Sequence, residues 1–202
     1  FRLPPKTVGR SRPNPPLAVL RFPAWLFCPR CRFMHEWRDD RENNPEGQVP
    51  VCKRRSCVKP KSILVPMRWV AACPDGHLED INWWRWTHSS RNSADGPCDW
   101  KTSQLKFTSN SSRGASMEAL GISCSQCGAK KSLKDLMRKG SLVSIGQSCR
   151  GKQPWQSVDD AEECEADLLV LQRSQAGLHL GQVVSALDIR TDVNNSSERV
   201  HA

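Results

Sequence analysis

Apolar residues occur in short runs separated by polar stretches, a pattern typical of short strands. Residues 17–27 form one run, and residues 63–72 carry apolar side chains with period two, so a strand is predicted in each. A short strand is also expected at residues 105–108, and further apolar runs lie at 168–172 and 183–189. Residues 78–88 hold three tryptophans, at positions 83, 84 and 86, and show no clear period, so a short helix or an irregular turn both fit. A helical turn is predicted at 116–120 and a short helix at 132–139, with Ser132 as its N-cap.

The apolar pattern predicts a β-rich α+β fold with a thin core, and the high cysteine content suggests what else could stabilise it. The chain has 202 residues, of which 38% are hydrophobic, ten are Cys and eight are Trp. No apolar run is long enough for a membrane span, and residues 1–16 lack the apolar stretch of a signal peptide. We therefore expect a cytoplasmic, reducing location with no membrane partner, where cysteines bind metal rather than form disulfides.

The first cysteine cluster has the spacing of a zinc ribbon. Two residues separate its first pair and four its second, with 20 residues between the pairs. A CxxC turn places two sulfurs at adjacent corners of a tetrahedron, and a hairpin can return the second pair to the same ion. The spacing predicts a structural zinc site made by Cys28, Cys31, Cys52 and Cys57.

A second zinc site is predicted further along, with looser spacing. Its CxxC is followed by Gly128, which suits the tight turn of a zinc knuckle. Fourteen residues separate the two cysteines of the return pair. The four expected ligands are Cys124, Cys127, Cys149 and Cys164.

Two cysteines and two histidines remain for a third candidate site, Cys73, His77, His88 and Cys98. A pair of core thiols with surface histidines explains the same residues. A catalytic zinc is a further alternative, since nucleobase deaminases carry H-x-E and P-C-x-x-C with the Glu as proton shuttle. The segments 77–79, ending in Glu79, and 97–98 match the opening of each motif, but the second cysteine of the latter is missing. Since no phosphate loop, H-E-x-x-H or G-x-S-x-G occurs either, we expect a protein that is not an enzyme.

The metal candidates divide the chain into five predicted segments. Residues 1–16 form an extended Pro/Arg-rich arm, 17–72 a first zinc-ribbon module and 73–115 a central segment rich in Trp, His and Cys. Residues 116–189 form a second zinc module and 190–202 a polar tail. The predicted architecture is a set of small zinc-ribbon-like modules with short helices, organised by structural zinc.

The formal charge of +9 favours a polyanionic partner. Two four-cysteine zinc sites would lower the charge to about +5, since binding requires thiolates. The basic clusters near the two CxxC motifs either contact phosphates without reading sequence or are simply solvated. The candidate nucleic-acid contacts are Lys53, Arg54, Arg55, Lys130, Lys131 and Lys134. Trp83, Trp84 and Trp86 could stack on single-stranded bases, although burial in a tryptophan-rich core is favoured.

Several long motifs resemble those of the DrmB family. They are RFPAWLFCP at residues 21–29, LVPMRWVAACPDGHLED at 64–80, CRGKQPW at 149–155 and LQRS at 171–174 continuing to SALDI at 185–189. DrmB proteins are cysteine-rich subunits of the DISARM anti-phage system and partners of the DrmA helicase. The resemblance implies a cytoplasmic subunit that docks on a DrmA-like helicase and helps engage DNA. Phosphate contacts by the basic clusters would bind that DNA without sequence specificity. A sequence-specific zinc-ribbon regulator is the remaining alternative.

Overall fold

The computed structural model describes residues 20–37, 49–57, 60, 62–91, 98–110, 112, 114, 116–157 and 159–178. The predicted arm at 1–16, the apolar run at 183–189 and the polar tail at 190–202 lie outside the described residues. Everything stated below concerns the described part of the chain.

Nine short strands and one α-helix form the framework of the described residues. The strands are β1 (Trp25–Phe27), β2 (Met34–Glu36), β3 (Val65–Pro66), β4 (Trp69–Ala72), β5 (Leu78–Glu79), β6 (Leu105–Ser109), β7 (Leu120–Cys124), β8 (Lys130–Ser132) and β9 (Leu169–Gln172). The helix is α1 (Trp83–His88), and short 3-10 turns occupy Met117–Ala119, Val143–Ile145 and Ala176–Leu178. The strands make three antiparallel three-stranded sheets, in the orders β2-β1-β3, β5-β4-β9 and β6-β7-β8. The expectation of a β-rich fold with few short helices is confirmed.

The first sheet is built around the hairpin that carries the first CxxC. Strand β1 pairs with β2 so that Phe27 lies opposite Met34, and the intervening turn places Arg32 at a positive φ of 66°. The Arg32 guanidinium lies over the rings of Phe27 and Phe107, at 5.1 and 4.7 Å from their centroids. Its Nε donates a 3.0 Å hydrogen bond to the Phe107 carbonyl. One side chain therefore fastens the first sheet to β6 of the third.

The apolar run predicted as one strand over residues 63–72 is divided between two sheets. Strand β3 pairs with β1, whereas β4 is the central strand of the second sheet. Pro66 lies opposite Leu26 and, having no N–H, donates no bond to β1. The next residue, Met67, donates its N–H to the Trp25 carbonyl at 2.8 Å, after which the chain enters β4. The single-strand prediction is wrong because the period-two pattern continues through a change of partner.

The second sheet joins residues that are about a hundred positions apart in sequence. Strand β4 is buried along its whole length and pairs with β9 in a register that places Ala72 opposite Leu169. On its other side β4 pairs with β5. The apolar runs at 69–72 and 168–172 are therefore adjacent, and each lies beside a cysteine.

The helix predicted at residues 132–139 is absent, and a series of turns takes its place. Leu136 donates its N–H to the Leu133 carbonyl at 3.0 Å, and Ser132 Oγ accepts the N–H of Lys134 at 3.1 Å. Leu133 and Leu136 are both completely buried, and the path ends at Gly140 with a φ of 78°. Backbone hydrogen bonds between residues three apart form tight turns. These turns direct both leucines into the core within a segment too short for an α-helix.

A tryptophan-rich core lies between the second sheet, α1 and the third sheet. Trp69, Trp83 and Trp86 are almost inaccessible to solvent, so two of the three indoles at residues 83–86 are buried as expected. Trp37 is buried as well, Trp25 and Trp84 are half-buried, and Trp100 and Trp155 are 56% and 66% exposed. A second, smaller core includes residues of the first sheet. It consists of the cysteines of the first cluster together with Leu26, Trp37 and Leu64. Helix α1 is far too short to cross a membrane, and the part of the chain that the structure describes holds no other helix that would do so.

Asp80 links the first sheet to the segment that precedes α1. Its carboxylate accepts the backbone N–H groups of Ala24 at 3.0 Å and Trp25 at 3.5 Å. Its own carbonyl accepts a bond from Gln147 Nε2 at 3.0 Å. Burial raises the pKa of the Asp80 carboxyl to about 6, although the two backbone N–H groups act in the opposite direction.

The raised pKa of Asp80 predicts a pH-dependent stability. Because the folded state holds this proton more tightly than the unfolded chain, the stabilisation is complete at low pH and is lost as pH rises through about 6. Relative to the natural protein, Asp80→Asn should therefore gain roughly 1 kcal/mol in free energy of unfolding between pH 5 and pH 7.5. Denaturant unfolding of both proteins at the two pH values measures this difference. The matched control is Asp167→Asn, an exposed carboxylate; an equal gain in that variant would contradict the prediction.

Candidate metal centres

The first tetrad consists of the four cysteines that the sequence grouped together. The sulfurs of Cys28 and Cys57 are 3.7 Å apart, as are those of Cys31 and Cys52. All four ligand atoms lie within 4.8 Å of one another. A tetrahedral ion with metal–sulfur bonds of 2.3 Å requires sulfurs about 3.7 Å apart. The hairpin and the β3 segment thus hold four thiols at the spacing that a zinc-type ion needs.

The second tetrad joins Cys73, His77, Cys149 and Cys164. Cys73 follows β4, and its Sγ lies 3.3 Å from Nδ1 of His77 across a turn that closes at Gly76. Cys149 Sγ lies 3.6 Å from the same nitrogen, and Cys164 Sγ lies 3.9 Å from Cys73 Sγ. Cys164 is carried there by the segment that leads into β9.

The third tetrad joins His88, Cys98, Cys124 and Cys127. His88 ends α1, and its Nε2 lies 3.3 Å from Cys127 Sγ, while Cys98 Sγ lies 3.8 Å from Cys124 Sγ. Nδ1 of His88 lies 2.7 Å from the Trp84 carbonyl. A proton on Nδ1 satisfies that contact and leaves the Nε2 lone pair directed at the tetrad, which is the arrangement of a metal-bound histidine.

The first cysteine of each knuckle has a pKa below that of an ordinary thiol. Burial raises the pKa of Cys28, but the backbone N–H groups of Cys31 and Arg30 outweigh it and bring the pKa to about 7. The same balance of burial against backbone N–H groups lowers the pKa of Cys73 and Cys124. Each tetrad therefore contains one thiol whose pKa is lowered toward the thiolate form that a metal ion requires, whereas burial raises the pKa of Cys52, Cys98 and Cys149.

The grouping predicted for the second and third sites is wrong, although the same eight side chains are involved. The sequence combined Cys124 and Cys127 with Cys149 and Cys164, whereas the structure combines them with His88 and Cys98. Likewise, the sequence combined Cys73 and His77 with His88 and Cys98, whereas the structure combines them with Cys149 and Cys164. Pairing of β4 with β9 brings the Cys164 segment to Cys73, and contact of α1 with β7 and β8 brings His88 to the second CxxC. One feature of the sequence could have indicated the correct grouping. Cys73 and His77 are close enough in sequence to form a knuckle of their own, which needs two further ligands from elsewhere in the chain.

Glu79, the candidate base of the deaminase-like alternative, is held by Arg150. The Glu79 carboxylate is almost completely buried, and its two oxygens accept bonds from the Arg150 backbone N–H at 2.5 Å and from Nε at 3.0 Å. This ion pair fixes the segment next to Cys149. The Glu79 carboxylate thus holds Arg150, the residue next to a ligand of the second tetrad. That tetrad itself offers four protein ligands, which is the composition of a structural site.

Gly151 shows how closely the two segments of the second tetrad approach each other. Its φ is 61°, and a β-carbon at this position would overlap the backbone of Glu162. The Glu162 N–H donates to the Gly151 carbonyl at 2.7 Å. The residues after Cys149 and those before Cys164 are therefore in direct backbone contact.

Four of the six predicted nucleic-acid contacts are engaged within the molecule. The Arg54 guanidinium lies 3.4 Å from the centroid of the Phe33 ring and donates to Gln104 Oε1 at 2.7 Å. Lys131 Nζ lies 4.1 Å from the centroid of the Trp86 ring and donates to a serine hydroxyl, and Lys134 pairs with Glu118 at 2.9 Å. Lys53 Nζ lies 5.6 Å from the centroid of the Trp37 ring, although this lysine is exposed, as are Arg55 and Lys130. The six do not form one continuous surface of free cations.

Comparison with known proteins agrees with the motifs. A family model described as "Domain of unknown function (DUF8724)" matches residues 1–180. The chain is also similar to a protein named "DISARM protein DrmB" from Bacillus paralicheniformis, with 27% identity over 203 residues. This similarity covers 98% of the chain and 32% of the relative, so the chain spans about a third of the relative's length. The chain belongs to the DUF8724 family, and its resemblance to DrmB proteins is confirmed.

Proposed function

We propose that this chain is a non-catalytic, zinc-stabilised component of a DISARM-type anti-phage complex, which docks on a DrmA-like helicase subunit and helps engage DNA. The observation that carries the proposal is the presence of three Cys/His tetrads in a chain similar to a DISARM subunit. The metal ions supply stability rather than chemistry, because each tetrad already provides four protein ligands.

The composition of the tetrads favours zinc over other ions. One tetrad has four cysteines and two have three cysteines and one histidine. Thiolate-rich tetrahedral sites of this kind suit Zn²⁺, whereas the oxygen-preferring ions Mg²⁺ and Ca²⁺ do not compete for them. Ten thiolates and three dications would lower the formal charge of +9 to about +5, so the metal-loaded chain stays basic.

The interleaved grouping makes a prediction about zinc content. Cys98→Ser combined with Cys124→Ser alters one tetrad only, so one of the three ions should be lost. Cys124→Ser combined with Cys149→Ser alters two tetrads, so two ions should be lost. Elemental analysis of zinc per purified chain measures both. The sequence-derived grouping places Cys124 and Cys149 at one site, so loss of a single ion in the second variant would contradict the structure.

Removal of the metal should unfold the described part of the chain. Each structural zinc contributes on the order of 10 kcal/mol of apparent binding energy, which a core this small does not replace. A strong chelator should abolish the near-ultraviolet circular dichroism of the buried tryptophans and the cooperative thermal transition. Restoring zinc should recover both signals. Unchanged spectra and melting in chelator would contradict a structural role for the ions.

Docking on a helicase subunit is the part of the proposal that depends on the relative. A DISARM component acts with other subunits of that system, and the resemblance implies a DrmA-like helicase as the partner. The Glu79–Arg150 ion pair, the Arg32 contacts with two phenylalanine rings and the three tetrads connect distant segments of the chain, so a partner would meet a surface of fixed shape. The complex, rather than this chain alone, would then carry the enzymatic activity.

Co-expression with the DrmA-like helicase of the same organism tests the docking. The zinc-loaded chain should co-purify with the helicase in a fixed ratio through size-exclusion chromatography. Chelator treatment of the chain should abolish the association, because the docking surface depends on the tetrads. An unrelated helicase is the control. Absence of co-purification with the cognate helicase, or equal association with the unrelated one, would contradict the docking.

A further inference from the structure

A large open cleft lies beside α1, between the first sheet and the turn at residues 99–103. Its volume is about 1070 Å³, at the upper end of the range for ligand pockets. Three indoles and three cations contribute to its lining, namely Trp25, Trp84, Trp100, Arg85, Lys101 and Arg150. None of the six cations predicted from the sequence to contact nucleic acid lines this cleft.

The third tetrad holds two of these indoles in place. Trp84 lies one helical turn before His88, and the two rings are stacked with centroids 4.6 Å apart at 28°. Trp100 lies two residues after Cys98. His88 and Cys98 belong to the same tetrad, so one metal centre would fix both walls of the cleft relative to each other.

Trp100 is an exposed indole on a rigid turn. Asp99 accepts the backbone N–H of Lys101 on its carboxylate at 3.0 Å and that of Ser103 on its carbonyl at 2.9 Å. Thr102 Oγ1 donates to Gln126 Oε1 at 3.2 Å, which ties the turn to the knuckle of the third tetrad. These bonds fix the backbone that carries Trp100, and its indole is 56% exposed, so it offers an accessible stacking face.

Two exposed cations lie beside the cleft, and its wall contains carboxylates. Arg85 donates to the Gly146 carbonyl and is otherwise exposed, and Lys101 Nζ lies 5.7 Å from the centroid of the Trp100 ring. On the wall, Glu79 is paired with Arg150, the Asp80 carboxylate accepts two backbone N–H groups, and Glu36 is a third carboxylate. Cations beside aromatic faces suit a ligand with both phosphates and flat rings.

We infer that this cleft binds a single strand of DNA, with bases stacked on Trp100 and Trp84 and phosphates near Arg85 and Lys101. The inference rests on the proposed engagement of DNA and specifies the form of DNA and the surface. Stacking on indole faces requires unpaired bases, which a duplex does not expose. Recognition through stacking and phosphate contacts is also tolerant of sequence, in line with the expectation from the sequence that DNA is bound without sequence specificity.

Fluorescence anisotropy with a labelled oligo(dT) strand and the zinc-loaded chain tests the inference. Trp100→Ala should weaken binding by roughly 5- to 150-fold, the range for loss of one base–aromatic stack. Trp100→Phe should retain most of the affinity, since it keeps an aromatic face. Trp155→Ala removes an equally exposed indole that does not line the cleft, and it should bind as the natural protein does. Zinc content and circular dichroism confirm that each variant is folded.

The other outcomes separate this inference from the proposed function. Strand binding that is unaffected by Trp100→Ala, or equally weakened by Trp155→Ala, would overturn the cleft as the site. A matched duplex bound as tightly as the strand, or a matched RNA bound more tightly, would overturn the assignment to single-stranded DNA. In each of these cases the proposed engagement of nucleic acid would stand. Binding of neither strand nor duplex, by the chain or by its helicase complex, would overturn both.

Discussion

The fold depends on the convergence of distant chain segments at three groups of thiol and imidazole ligands. In the second tetrad, a knuckle at residues 73–77 meets side chains from positions 149 and 164, and the β4–β9 pairing makes the same long-range connection. Strands of two to five residues form too few hydrogen bonds to hold three sheets together on their own. Side-chain clamps such as Arg32 between two phenylalanines reinforce the arrangement, but they are few. Metal coordination would replace much of the interior that a larger hydrophobic domain possesses.

The first tetrad and the class of fold could be predicted from sequence because their determinants are local. Two cysteine pairs within 30 residues, separated by a polar stretch, leave little choice of partner. The same reasoning failed for the other two sites, since each combines one local ligand pair with two ligands from separate, distant segments. Spacing alone cannot show whether Cys124 shares an ion with Cys149 or with His88. That choice is made by strand pairing and by the position of α1, which are long-range features.

Burial was easier to predict than contact for the aromatic and charged residues. A chain with eight tryptophans and a thin core is expected to use them as core residues, and four are buried and two more half-buried. The partners were not predictable: Lys131 lies over a tryptophan ring, and Glu79 is neutralised by an arginine 71 residues away. The division of residues 63–72 between two sheets shows the same limit, because an alternating pattern describes which side chains are buried but not which strand they pair with.

The interleaving of the second and third tetrads has a consequence for synthesis. As the chain emerges from the ribosome, Cys73, His77, His88 and Cys98 are all available before Cys124 has been made. These four have the composition of a zinc site, so an ion captured early by them would occupy ligands that belong to two different native centres. The native partners must then displace it by ligand exchange as positions 124–164 appear. Such a kinetic trap would make the timing of metal-ion supply during translation a determinant of the yield of correctly assembled protein.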